Sequence, residues 1–111
     1  MDDDPHHPIL DRPYEYEIAD LRYHVGLDGS EPFLDLTLVL GPTSRRLRFW
    51  SPQNLAIEPG FPASTGGMVI LDIRARQLDG LNVQVADWEA SNGTITFFAR
   101  DVVELHTNAA D

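Results

Sequence analysis

Over much of its length the chain places an apolar residue at every second position. This period of two commits it to strands, because successive side chains of a strand point to opposite faces. Leu34, Leu36, Leu38 and Leu40 alternate with Asp35, Thr37 and Val39, and Leu21, Tyr23 and Val25 alternate with Arg22 and His24. Val69, Leu71, Ile73 and Ala75 alternate with Asp72 and Arg74. Turn-forming residues separate the runs at Asp28-Gly29, Gly41-Pro42-Thr43-Ser44, Leu78-Asp79-Gly80 and Ser91-Asn92-Gly93. Short strands joined by short turns predict an all-β, mainly antiparallel domain: two meanders forming a small β-sandwich or partly open barrel of about seven or eight strands.

Face matching then sets the register. A two-residue turn at Asp28-Gly29 puts Leu21 opposite Leu36 and Tyr23 opposite Leu34. A four-residue loop at 41–44 puts Leu36 opposite Phe49 and Leu38 opposite Leu47. The other face of this meander carries the rows Arg22, Asp35, Trp50 and Asp20, Thr37, Arg48, expected as a solvated ladder of opposite charges. In the second meander, a three-residue loop at 78–80 sets Val83 against Ala75 and Val85 against Ile73, and a loop at 91–93 sets Val85 against Ala99. Val83, Val85, Ile95, Phe97 and Ala99 share its core face, with Val103 and Leu105 extending it. The opposite face holds Ile70, Trp88 and Phe98 among Arg74, Gln84 and Arg100, unless a bulge near Ala86-Asp87 turns Trp88 inward.

Residues 51–67 break the alternation with three prolines and three glycines. Ser51-Pro52 suits a single helical turn over 52–57, whereas Leu55 and Ile57 suit a short edge strand; both readings stay open. At 111 residues the chain fits one domain. Residues 1–13, with three prolines and Asp2, Asp3 and Asp4, read as a flexible acidic arm. The β domain is expected over 14–106, and 107–111 as a flexible tail.

Eighteen acidic residues face eight arginines and no lysine, a net charge of −10. The missing lysine removes Schiff-base chemistry and a phosphate-loop lysine. The charge argues against nucleic acid, whose phosphates are bound by cationic side chains, and against anionic lipid. It favours encounter with a basic protein. With no cysteine there is no disulfide framework, thiolate nucleophile or thiolate metal site. An acidic start and the lack of a long apolar run lead to the expectation of a soluble, cytoplasmic protein. Abundant Arg, Ala, Gly and Pro without lysine is a composition associated with GC-rich bacterial genomes.

No motif carries a reaction. The four histidines, at 6, 7, 24 and 106, have no neighbouring signature of a catalytic base, and His6-His7 lacks the fixed geometry of a metal site. No serine sits in a Gly-x-Ser-x-Gly elbow. Gly66-Gly67, without a following lysine, reads as a lead into the next strand. Asp87 and Glu89 are spaced to approach as a carboxylate pair, but are expected to be solvated. The expectation is therefore no catalytic residue, no cofactor and no metal. The first functional reading is a non-enzymatic protein-binding domain, with an immunity-type neutraliser of a basic partner as its specific form. Trp50, Glu58, Phe61, Asp87, Trp88 and Glu89 are its candidate contacts, as aromatic anchors and steering carboxylates. The alternative is a small-molecule-binding, carbohydrate-binding or hydrolytic domain with a pocket roofed by residues 58–67. A homo-oligomer joined through an apolar second face is a third reading.

Overall fold

Alternating runs become strands, and two of them bend from one sheet into the other. The computed structural model describes residues 4–61, 67–87 and 93–105. The first sheet contains β1 (Glu17–His24), β2 (Phe33–Leu40), β3 (Thr43–Trp50) and β8 (Asp101–Leu105), in the order β1-β2-β3-β8. The second contains β4 (Gln53–Ile57), β5 (Met68–Asp72), β6 (Val83–Asp87) and β7 (Ile95–Ala99), in the order β4-β7-β6-β5. All pairings are antiparallel. The only helical elements among the described residues are 3-10 turns at Pro13–Glu15, Leu27–Gly29 and Arg74–Arg76.

β3 pairs with β8 and β4 pairs with β7, so the chain runs as one bent ribbon through both sheets. The bend falls where Ser51 takes a positive φ of 51° and Pro52 is buried. Across it, the Arg100 N–H donates to the Trp50 carbonyl at 2.8 Å. Strands that switch sheets at such a bend make the corner of a sandwich. The loop after β1 clamps this corner. Glu31 accepts from Arg100 Nε and from Ser51 Oγ, both at 2.6 Å, and the Ser51 N–H donates to the Pro32 carbonyl at 2.8 Å. Those hydrogen bonds, Arg100 first, hold the Glu31 carboxyl below its ordinary pKa.

The inner faces bury Leu34, Leu36, Leu38, Leu47, Phe49 and Val102 against Ile70, Val83, Val85, Ile95, Phe97 and Ala99. Phe49 and Phe97 meet edge to face across the sheets, with centroids 4.9 Å apart. Full burial of each large side chain contributes about 1.5–3 kcal/mol, which makes this layer the main source of stability.

The predicted hairpin register of β1 and β2 matches the structure, with Leu21 opposite Leu36 and Tyr23 opposite Leu34. Residues 53–57 are strand and not a helical turn. Other registers differ. β2 and β3 join through two residues, Gly41-Pro42, so Leu36 faces Leu47 and Leu34 faces Phe49. A type II′ turn takes glycine at its first central position, and Gly41 has φ 58°. At the end of β5, Asp72 Oδ1 accepts from the Arg74 N–H at 3.1 Å and diverts the chain into a 3-10 turn. The connection from β5 to β6 is therefore longer than three residues, and Ile70 faces Val85. Met68 and Ile70 point inward, while Val69, Leu71 and Ile73 form a second apolar layer on the outer face with Leu81, Ala86 and Phe98. Val83 lies opposite Ala99 and Val85 opposite Phe97, two residues from the expected register but on the same core face. Val103 and Leu105 do not extend β7: the chain bends at Arg100 into β8, which turns Val102 inward and leaves Val103 exposed.

Pro5, His6, His7 and Leu10, within the segment before β1, contact the domain. The Pro5 carbonyl accepts from the Asp72 N–H at 2.9 Å, and the His7 N–H donates to the Ile70 carbonyl at 2.8 Å. This covers the outer edge of β5, and Leu10 enters the core. His7 Nδ1 accepts the Ile9 N–H at 3.1 Å, which requires that nitrogen unprotonated. Burial lowers the His7 pKa from 6.5; Asp72 and Asp101 oppose the shift, and Arg74 adds to it. Between the ordinary and the lowered value the unfolded chain binds more protons, so stability falls as pH drops through that window and is level above it. Urea unfolding from pH 8 to pH 5 is expected to show this loss, reduced in His7→Gln; equal pH slopes for the two proteins would contradict it.

Gly26 has φ 79°, and a Cβ built there would lie 2.5 Å from the Ser30 carbonyl oxygen. Gly26→Ala is expected to cost about 1–3 kcal/mol, from left-handed strain and displacement of the loop that carries Glu31. Equilibrium unfolding measures it, and a cost below about 0.5 kcal/mol, the scatter of neutral surface changes, would contradict this account of the loop.

Candidate functional site

The outer face of the first sheet is organised in rows. His24, Phe33 and Trp50 form one, followed by Asp101 of β8; Arg22, Asp35, Arg48 and Val103 form the next. His24 stacks on Phe33 with centroids 4.7 Å apart, and Phe33 meets Trp50 edge to face at 5.5 Å. The Arg48 guanidinium carbon lies 3.7 Å from the Phe33 centroid and 5.4 Å from that of Trp50.

Asp35 holds Arg48 there. Its two carboxylate oxygens accept from Nε at 2.9 Å and Nη2 at 3.0 Å, a two-point fork that fixes the guanidinium plane. Asp35 is only 3% exposed, so the solvated ladder expected here is instead a half-buried arginine paired with a buried carboxylate. Arg46 Nη2 approaches the same carboxylate at 3.8 Å. The hydrogen bonds to Asp35 raise the Arg48 pKa above its ordinary value, with desolvation opposing them. The arginine therefore stays charged, neutralised by one carboxylate and open to stacking. Cation–π contacts of this kind contribute about 0.5–2 kcal/mol each.

The four described sequence-derived candidates, Trp50, Glu58, Phe61 and Asp87, do not form one cluster. Trp50 is half-buried at the end of β3, inside the aromatic row. Glu58 lies at the far end of β4, where its carboxylate accepts from Thr94 Oγ1 at 3.1 Å and its N–H donates to the Thr94 carbonyl at 3.0 Å. The Phe61 N–H donates to the Glu58 carbonyl at 3.1 Å, and the Phe61 ring packs against the central core. Asp87 is half-buried at the end of β6, opposite Met68. The length of β4, about 16 Å at roughly 3.3 Å per residue, separates Trp50 from Glu58. Trp88 and Glu89 lie outside the described residues, as does the proposed inward turn of Trp88.

His24, Phe33, Asp35 and Arg48 were not singled out as a site from sequence. A four-residue loop at 41–44 shifts β3 by two positions, which places Trp50 beside Asp35 and Arg48 beside Thr37. Treating Gly41-Pro42 as a two-residue turn brings Arg48 to Asp35 and Trp50 to Phe33.

The pocket roof expected at 58–67 has its centre, 62–66, outside the described residues. Side chains fill the space between the sheets, and concave sites of about 490 and 410 Å³ lie instead along the amino-terminal segment at His7 and Pro8, with another of about 410 Å³ at the Ser51 corner. Among the described residues no three His, Cys, Asp or Glu side chains converge as metal ligands, and no helix is long and apolar enough to cross a membrane. Comparison with protein-family models, curated proteins and solved structures returns no match.

Removing Asp35 leaves Arg48 partly buried without its counter-ion. Asp35→Ala is expected to cost about 3–5 kcal/mol, and replacement of both residues by Leu and Met much less, because no unpaired charge then remains. Chemical denaturation of the single and double variants measures this. Equal costs for the two would show that the pair is not a coupled unit.

Proposed function

We propose that the protein is a non-enzymatic binding domain that engages another protein through the outer face of its first sheet. The observation that carries this reading is the Arg48 guanidinium laid over Phe33 and beside Trp50, locked by a buried carboxylate. Tryptophan and arginine dominate the energetic centres of protein interfaces, and side chains already held in place lose little conformational entropy on binding. Asp35 neutralises the guanidinium, so the row offers flat stacking surface and little net charge.

Around it Asp20, Asp28 and Glu17 are exposed, alongside the exposed Arg22. A net charge of −10 steers a basic partner, which favours neutralisation of a basic effector as the specific form of this function. The aromatic row then supplies the slow dissociation and the carboxylates the fast encounter. Bacterial origin and a cytoplasmic location belong to the same reading.

The test is capture of partners by tagged protein at low and high salt, followed by affinity measurement on the captured protein. Trp50→Ala and Phe33→Ala are each expected to weaken binding at least about tenfold, or 1.4 kcal/mol, through faster dissociation. Charge reversal at Glu17 and Asp28 is expected to slow association and flatten its salt dependence. Unchanged affinity in both aromatic variants would overturn the reading.

A further inference from the structure

We propose that the outer edge of β1 is the seam of a two-fold homodimer, in which two copies pair antiparallel about Leu21 and Asp20 of each copy faces Arg22 of the other. The seam borders the partner-binding face, whose second row includes Arg22, but it uses the strand edge and stands without that reading.

β1 ends the first sheet and pairs only with β2 among the described residues. A strand edge of this kind presents open N–H and C=O groups that accept another strand. Tyr23 in β1 is 41% exposed, and Val25 and Leu27, in the connection just after it, are 65% and 67% exposed. The β5 edge, by contrast, is covered by residues 5–7.

The charges are distinctive. Seven of the eight arginines contact a described carboxylate: Arg12, Arg45, Arg46, Arg48, Arg74, Arg76 and Arg100. Arg22 makes no such ion pair. Its cross-strand neighbour Asp35 has both oxygens occupied by Arg48. Asp20, two residues away on the same face, also makes no ion pair with a described arginine.

Symmetry and charge together favour one register. Two copies related by an axis perpendicular to the sheet keep the same face on the same side, so paired positions must share a face. Centring on Asp20 opposes two aspartates, and centring on Arg22 opposes two arginines. Centring on Leu21 opposes Asp20 to Arg22 twice and sets Tyr23 against the small Ala19. The charged row then alternates in sign across the seam: Arg48, Asp35, Arg22, then Asp20 of the other copy. Opposite charges directly across a ladder stabilise it and like charges destabilise it. The two copies repel through their net charge, but at physiological salt this is screened beyond about 8 Å, so the pairs in contact at the seam decide.

β8 ends the first sheet on its other side, but its charged residues are only carboxylates, Asp101 and Glu104, so two copies could set no opposite charges across it. β4 is an edge of the second sheet, with Leu55 and Ile57 exposed. It has no charged residue to set a register; its ladder carries an irregularity between Gln53 and Ala56, as that of β1 does between Ile18 and Asp20, so charge and not regularity distinguishes the two edges.

Sedimentation of the full chain tests the proposal, with circular dichroism confirming that each variant is folded. The wild type is expected to dimerise. D20R and R22D are each expected to weaken self-association at least about tenfold, because each places like charges across the seam twice. An equimolar mixture of the two restores a dimer containing one copy of each, and D20R/R22D restores the homodimer. If R22D fails to fold beside Asp35, D20R and its recovery in D20R/R22D give the same reading. A wild type that stays monomeric up to about 1 mM, where even a weak association of about −4 kcal/mol shows, overturns the proposal. So does a dimer unaffected by D20R, or one abolished by Leu55→Lys in β4.

Discussion

The bent ribbon made by β3 and β4 against β7 and β8 is the constraint on which the rest of the molecule depends. Because the same two stretches belong to both sheets, the inner faces cannot slide past one another, and Phe49 meets Phe97 at a fixed height. The bend requires a positive φ at Ser51, an arrangement that costs energy outside glycine. Glu31 offsets that cost by binding Ser51 and Arg100 together from the loop after β1. The corner in turn places Trp50, the last residue of β3, at the edge of the outer face beside Phe33.

On that outer face one ion pair decides what the surface can do. A solvated Arg48 would be one more mobile side chain on an acidic protein. Held by the two hydrogen bonds it donates to a carboxylate that is almost wholly buried, it becomes a flat group stacked on Phe33. Arginine is used throughout in this way. Arg45 forks onto Glu104 and reaches the Ile9 carbonyl, tying β3 to β8 and to the amino-terminal segment. Arg100 ties the corner, and Arg74 closes on Asp72. With most arginines committed internally, the excess of carboxylates is left to the surface, which is why a chain full of ion pairs still presents an acidic exterior.

The strands were legible in the sequence because their alternation survives translation into burial: Leu34, Leu36, Leu38, Val83, Val85 and Phe97 all face the core as expected. Register was legible only where a turn has one reading, as at Asp28-Gly29. Met68 to Leu71 is apolar at every position and buried on both faces, so alternation carries no parity there. The direction of that strand is decided by Asp72, whose carboxylate caps a turn that composition does not announce. The site was hidden for a related reason. Trp50 stood out alone, but its partners Phe33, Asp35 and Arg48 come together only through the pairing of β2 with β3, and a two-residue error in one turn separates them. The packing of residues 5–7 on β5 likewise depends on an edge that exists only once the sheet is formed.

The most direct measurement of whether Asp35 makes this face rigid is the NMR order parameter of the Arg48 Nε–H bond in the free protein. A locked guanidinium is expected to approach the value of rigid backbone, about 0.85. A value below about 0.6, the range of flexible groups, would mean that the carboxylate does not hold the guanidinium over Phe33, and the preorganised binding face would have no physical basis.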